Sequence, residues 1–353
     1  MRTSTARRSS GLSRSFAIAA VSLAATAWFV NRQAGAADRR RPPLGRFVEV
    51  DGVRLHYTIR GEGPPLVLLH GNGSMIDELQ SSGLIDLLAQ HYRVVAFDRP
   101  GFGYSERPAN RRWSPSAQAA VLAFALERLG VDRATIVGHS WGTLVALALA
   151  LDHPDRVRGL VLVSGYYYPT FRPDTIVLSA PAWPVVGPLM RHTTSPVLTR
   201  LLWPGLLRVL FGPAAAPDRF RRIPPWRFLK PSRLAAAAEE SAMLTTEAET
   251  LSRRYGEIRV PTVILAGESD RLISVSRHGE RLHRAIPGSV LHAIPGIGHM
   301  LHHTIPQRVL RAIDDVALRD ARGAARDGQD AVPPLRELIT NVPHDDVAAR
   351  PTG

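Results

Sequence analysis

"IVGHSWGTLVALALA", residues 136–150, sets Ser140 between Gly138 and Gly142, with an apolar run before it and a long Ala/Leu run after it. The first run reads as a strand buried on both faces and the second as a helix. A sharp strand-to-helix turn brings neighbouring chain close on both sides, and glycines at 138 and 142 lack the Cβ atoms that would collide there. Such a turn lifts the Ser140 hydroxyl above the strand ends. It also aims the N-terminal N–H groups of a helix starting near Trp141 at any anion forming beside it.

A hydroxyl alone is a poor nucleophile and needs a base that an acid orients. "VILAGESD" ends in Asp270, and "VLHAIPGIGHM" supplies His299 in a Gly-rich loop, so the chain order is nucleophile, acid, base. The position after the preceding strand, Ser164 in "VLVSG", offers no carboxylate. His292 alternates within a strand, while His302 and His303 fall on the following helix, which leaves His299 as the base. Two backbone N–H donors are expected for an oxyanion, one from Trp141 and one from Asn72 in "LLHGNGS", where Gly71 and Gly73 let the main chain pass close by. His70 and His139 read as packing and supporting residues. Asp98, opening "DRPG", reads as a hydrogen-bond acceptor that fixes its loop.

The rest of the chain supplies the frame. "RFVEVDGVRLHYTIRG" alternates apolar and polar residues around Asp51-Gly52, a hairpin signal. "PPLVLLHGNG", "YRVVAFDRPG", "ATIVGHS", "VRGLVLVSG" and "PTVILAGESD" are short apolar runs ending in Gly or polar residues, and helix-period stretches such as "SPSAQAAVLAFALERLG" lie between them. Ser114 is the expected N-cap of that helix, Pro115 its first residue and Gly130 its terminator. The alternation predicts an α/β fold with a mostly parallel sheet and helices on both faces, preceded by an antiparallel hairpin. After Gly165 the rhythm breaks into a Pro-, Trp- and Arg-rich stretch. It reads as a helical cap inserted between the fifth and sixth parallel strands, over about residues 168–255. Beyond 317 no clear core-forming period remains, so residues 318–353 are expected to be a loose tail with at most a short helix near "PPLRELIT".

The chain has 353 residues, 45% of them apolar and none of them cysteine, which excludes disulfides, thiolate metal sites and a cysteine nucleophile. The formal charge of +13 is segmental. Arginines crowd the first fifty residues, and a second basic stretch between Phe171 and Ala235 carries only Asp174 and Asp218 as acids. Anionic membrane surfaces or anionic substrates fit this as readily as phosphate backbones, and no nucleic-acid-binding motif is present. Within that stretch Trp183, Trp203, Trp226 and Phe228 have three readings: an acyl pocket, packing of the cap on itself, or insertion into a membrane. Arg221 and Arg222 read as a solvated face. Residues 1–46 read as a signal peptide or membrane anchor plus linker. Arg7, Arg8 and Arg14 precede an apolar stretch from Phe16 to Val30, and Ala34-Gly35-Ala36 follows as a small-residue cleavage site. As a helix that stretch covers about 22 Å, short of the ~30 Å hydrocarbon core. The protein is expected either to be exported or to stay anchored by this segment.

"HGNG", "DRPGFGYS", "GHSWG", "GESD" and "GIGHM" stand in the order and spacing of the α/β-hydrolase superfamily, and the chain from about Phe47 to Ala317 resembles its capped esterase, lipase and peroxidase-like members. The resemblance implies an eight-stranded sheet, catalysis by Ser140, Asp270 and His299, and neither cofactor nor metal. "DRPGFGYSERP" also resembles epoxide hydrolases and haloalkane dehalogenases, but those carry an Asp at the elbow where this chain has Ser140. The expected activity is hydrolysis of a small or medium apolar ester. Carbon–carbon bond hydrolysis or perhydrolysis on the same triad, a catalytically silent ligand-binding protein, and a membrane-bound interaction protein are the alternatives.

Overall fold

The computed structural model describes residues 6–326, with side chains from Ser15 onward except those of Ala324 and Arg326. The hairpin forms as expected from β1 (Arg46–Val50) and β2 (Val53–Arg60), with Val50 opposite Val53. Its two turn residues, Asp51 and Gly52, take φ of 50° and 71°. Both central residues of a tight type I′ turn need positive φ, which Asp-Gly tolerates. Six further strands follow: β3 (Pro65–Leu69), β4 (Arg93–Phe97), β5 (Ala134–His139), β6 (Val157–Val163), β7 (Thr262–Gly267) and β8 (Val290–Ile294). They complete one eight-stranded sheet in the order β1-β2-β4-β3-β5-β6-β7-β8. Strands β3 to β8 pair parallel, and β2 joins β4 antiparallel.

Helix α1 (Ala6–Arg39) precedes the sheet. Helices α2 (Ile76–Ser82), α3 (Leu84–Leu88), α4 (Pro115–Arg128) and α5 (Trp141–Asp152) alternate with the strands. The insertion between β6 and β7 holds α6 (Asp174–Ser179), α7 (Val186–His192), α8 (Thr194–Phe211), α9 (Asp218–Arg221) and α10 (Pro231–Ser252). Last come α11 (Glu280–Ala285), α12 (Leu301–Thr304) and α13 (Pro306–Arg326). Ser114 caps α4, its side chain accepting the Ala117 N–H at 3.2 Å.

Successive strand residues point to opposite faces, and the core divides accordingly. Val67, Leu69, Val95 and Phe97 pack with Leu122 and Leu126 of α4 and Leu144 of α5. Leu66, Leu68, Val94 and Ala96 pack with Leu79 of α2, Leu88 of α3 and Ile313 of α13. Both faces are covered, which is why these strands read as continuous apolar runs rather than alternating ones.

Three boundaries differ from the sequence reading. Because β1 and β2 both pair antiparallel, the insertion follows the fourth parallel strand in the chain, β6, and not the fifth. The expected linker before residue 46 is largely helix: α1 runs on to Arg39, through Ala34-Gly35-Ala36, with Val30, Ala34 and Ala37 buried. At the other end α13 continues through residues 318–326. Val309, Ala312, Ile313 and Val316 bury a helical stripe that anchors it, and the Ala/Arg-rich sequence beyond has high helix propensity. The "PPLRELIT" helix lies outside the described residues.

Candidate active site

β5 ends at His139 and α5 begins at Trp141, so Ser140 alone makes the turn, with φ 51° and ψ −119°. Positive φ is uncommon for a residue with a Cβ and marks local strain. The flanking glycines permit it. A Cβ on Gly138 would lie 2.6 Å from the Gly142 carbonyl oxygen and 2.8 Å from the Thr143 Cα, and one on Gly142 would run into the carbonyl oxygens of Leu69 and His70. Among the described residues, neither the Trp141 N–H nor the Asn72 N–H donates a hydrogen bond. The Asn72 side chain is engaged elsewhere, its Nδ2 donating to Ala237 O (3.0 Å) and Ser241 Oγ (3.1 Å) on α10. That bond fixes the loop beneath the insertion.

Asp270 lies in the turn after β7. Its Oδ1 accepts the N–H groups of Leu272 (2.8 Å) and Ile273 (3.1 Å), and its Oδ2 accepts Nδ1–H of His299 at 2.8 Å. The paired side chains are only 2% and 5% exposed. With Nδ1 protonated and held, Nε2 of His299 is left as the imidazole's basic atom. The His299 ring sits 5.0 Å from that of His139, the residue before Ser140, and His139 Nε2 donates to the His299 carbonyl at 3.1 Å. The fold thus joins Asp270 to His299 and brings His299 against the elbow. It makes no hydrogen bond between His299 and Ser140 Oγ.

Buried groups around the elbow hold it electrically quiet. Burial pushes the His70 imidazole down to about 3. Neutral His70 donates from Nδ1 to Gly71 O (2.8 Å) and accepts the Arg99 N–H at Nε2 (2.9 Å). Burial, with His302 and His299 nearby, likewise keeps His139 neutral. Asp98 behaves as its loop position implied: Oδ1 accepts the Ile76 N–H, and Oδ2 accepts from Tyr104 N–H and His56. Burial alone would raise its pKa, but the bond and charge of His56 hold it below the usual range.

Two networks had no signal in the sequence. Arg99, within the "DRPG" segment, is fully buried and ion-pairs with Glu240 of α10. It also donates to Gln118 (2.8 Å) and to the carbonyls of His70 (2.8 Å) and Gly71 (2.9 Å), tying the insertion to the loop that carries Asn72. Glu78 of α2 receives the Nε2–H groups of His302 and His303 of α12 and the Ser74 hydroxyl. Glu78 stands more than two hundred positions from His302 and His303, so only the fold joins them. Glu78, His302 and His303 are also the one group among the described residues with metal-ligand spacing, their ligand atoms lying within 4.8 Å of one another. Metal-binding histidines usually donate their second ring N–H to an acceptor, whereas Nδ1 of both residues is buried without a partner. The cluster therefore fits a hydrogen-bonded brace better than a metal centre.

The aromatic residues of the insertion divide. Trp203 packs tilted against Phe228 at 5.4 Å within the insertion, Trp226 meets Phe29 of α1 edge-on at 5.7 Å, and Trp183 is exposed. Arg221 and Arg222 are exposed, as a solvated face requires. A crevice of about 1240 Å³ lies between α1, the 101–113 loop and α10, where Arg107, Arg191, Lys230 and Glu239 line it. Ser140 is not part of it.

Comparison with known proteins fits this framework. The family model for the alpha/beta hydrolase fold matches residues 64–306. The 2-hydroxymuconate semialdehyde hydrolase of Pseudomonas putida is 39% identical over 127 residues, 36% of this chain and 45% of that protein. Haloalkane dehalogenase 2 of Mycobacterium tuberculosis is 34% identical over 139 residues, 39% of this chain and 47% of that protein. The chain thus matches about half the length of these curated relatives. Among solved structures, Est816, described as an N-acyl homoserine lactone degrading enzyme, superposes with a TM-score of 0.58 at 26% identity, covering 76% of this chain and 99% of that one. With the family model matching residues 64–306, well over half of the chain, and a mostly parallel eight-stranded sheet, the chain belongs to the α/β-hydrolase family.

Proposed function

We propose that this hydrolase cleaves carboxylic esters of small or medium apolar substrates by acyl transfer through Ser140. The observation that carries the reading is the Asp270–His299 pair, 2.8 Å apart and buried, against an elbow whose serine hydroxyl is unbonded. His299 Nε2 takes the Ser140 proton as Oγ attacks the ester carbonyl. The N–H groups of Asn72 and Trp141 receive the oxyanion, and Asp270 holds the imidazole in its working tautomer and stabilises its cation. Collapse of the tetrahedral intermediate expels the alcohol, which takes its proton from His299. Water, activated by the same imidazole, then releases the acid. Hydrogen bonds of this kind commonly tighten only with substrate bound, which accounts for the open Ser140–His299 contact.

In this reading the insertion is a cap over the site, and the first 46 residues either direct export or anchor the protein in a membrane. The substrate is a small molecule, not a nucleic acid. The Ser140→Ala protein is expected to lose at least about three orders of magnitude in the rate of p-nitrophenyl ester hydrolysis, roughly 4 kcal/mol of barrier. Wild-type turnover by that variant would reject the mechanism.

A second reading, carbon–carbon bond hydrolysis on the same triad, is favoured by the likeness to 2-hydroxymuconate semialdehyde hydrolase. Ester chain-length and vinylogous diketone series assayed side by side separate the two. Dehalogenase chemistry is disfavoured by Ser140, because the dehalogenases that "DRPGFGYSERP" resembles place an Asp at that turn.

A further inference from the structure

Eighteen of the twenty-two exposed large apolar side chains among the described residues fall in two segments, residues 16–29 of α1 and residues 171–206 of the insertion. In the insertion they include Val177 (73% exposed), Val185 (88%) and Leu201 (72%). Water-exposed apolar surface concentrated in this way marks a contact face rather than ordinary surface. The two segments are neighbours. α1 packs against α7 and the 225–227 turn, and α8 packs against the same two elements.

The joint is built rather than incidental. Val30, Ala34 and Ala37 bury one stripe of α1. Asp38, at its end, pairs with Arg227 (2.6 Å), Arg233 (2.8 Å) and Lys230 (3.0 Å), and Asn31 contacts His192 of α7 at 3.3 Å. The last turns of α1, from Val30 on, therefore belong to the protein body, and the exposed apolar residues 16–29 precede them.

Length and charge then say what covers the face. The candidate span in α1 runs over Ser15–Arg39, 25 residues, but the portion from Val30 onward is engaged with the insertion. The apolar stretch ahead of that buried stripe, from Ser15 to Phe29, covers about 22 Å of a hydrocarbon core of ~30 Å. A helix that short reaches across only if the body it belongs to is drawn into the near interface. Between Thr175 and Pro217 the charged residues are Arg191, Arg200 and Arg208, with no Asp or Glu, the sign that anionic headgroups attract.

We propose that α1 and the outer face of α6, α7 and α8 form one seat on an anionic phospholipid bilayer, with the insertion immersed in the interface. The substrate class this selects is an amphiphilic ester delivered from the lipid phase. The substrate part rests on the ester-hydrolase reading above; the seat itself does not.

The absence of cysteine makes the test direct. Full-length Val21→Cys, Leu202→Cys, Val177→Cys and Phe124→Cys proteins, each folded by circular dichroism, are labelled with an environment-sensitive fluorophore and reconstituted in phosphatidylcholine–phosphatidylglycerol vesicles. Positions 21, 177 and 202 are expected to shift to the blue and to be quenched by spin-labelled lipid, and position 124 on α4 is not. Quenching at 21 without quenching at 177 and 202 would overturn the seat, and so would no quenching at 21. In the same vesicles the Leu201→Glu/Leu202→Glu protein is expected to hydrolyse an embedded ester at least tenfold more slowly while keeping its rate on soluble p-nitrophenyl acetate. Equal rates on the embedded ester would overturn the lipid-phase route. A wild-type protein inactive on both esters would sink the ester-hydrolase reading and leave the fluorescence result to decide the seat.

Discussion

At Gly142 the elbow has no room for even one methyl group: a Cβ there would meet the carbonyl oxygens of Leu69 and His70. The obstacles are backbone at the end of β3 and the start of the loop that carries Asn72, so neither side can yield without moving the N–H groups assigned to the oxyanion. Gly142→Ala is therefore expected to cost about 1–3 kcal/mol of stability, as overpacking does, and to lower kcat more than it raises KM. Thermal denaturation and steady-state kinetics on one preparation check this. A variant with wild-type Tm and kcat would contradict the close approach. This residue was legible in the sequence because a strand, a serine and a helix compressed into one turn dictate glycine on both sides. Asp270 and His299 were legible for a similar local reason, each lying in a short loop after an apolar run. Glu78, His302 and His303 were not. Nothing in their own neighbourhoods distinguishes them from surface residues, and only the packing of α2 on α12 brings them together.

Among the elements, α10 does most to join the insertion to the sheet domain, through the buried Arg99–Glu240 pair and the Asn72 bonds. Breaking one member of a buried pair leaves the other charge uncompensated. Glu240→Ala is expected to destabilise by about 3–5 kcal/mol, and the Arg99→Met/Glu240→Leu double variant by much less. Chemical denaturation of the two proteins measures the difference. Equal losses would show that the pair is not the joint. α1 and α13 teach the converse lesson about sequence reading. Their buried stripes were visible only in part, because α1 mixes a membrane-like apolar run with a stripe meant for the protein, and α13 extends past its last core contact on helix propensity and the Arg158–Asp320 and Arg319–Asp315 ion pairs.

For the molecule as a whole, the mostly parallel sheet, the hairpin and the two-faced core followed from alternation of strand and helix patterns; the strand order did not. The insertion lies where the strand rhythm breaks after Gly165, but it follows the fourth parallel strand and not the fifth. The folded chain also carries imidazoles that resist protonation. An unfolded histidine takes a proton near pH 6.5, whereas burial lowers His70 to about 3 and His278 to about 4. The unfolded state therefore binds more protons between those values. The stability these residues contribute is fully present above pH 6.5 and is lost as pH falls toward 4 and 3. Tm is expected to decline already between pH 7 and pH 5, before most carboxylates titrate. A flat calorimetric Tm over that interval would contradict the burial of neutral histidine.

The claim on which the functional reading turns is that Ser140 is a nucleophile activated by His299. Treatment of the intact protein with a fluorophosphonate, followed by mass spectrometry of its peptides, tests it most directly. The account predicts one adduct, on the peptide containing Ser140, and its loss in the His299→Ala protein. An unlabelled protein, or an adduct that persists at the same rate without the imidazole, would contradict it.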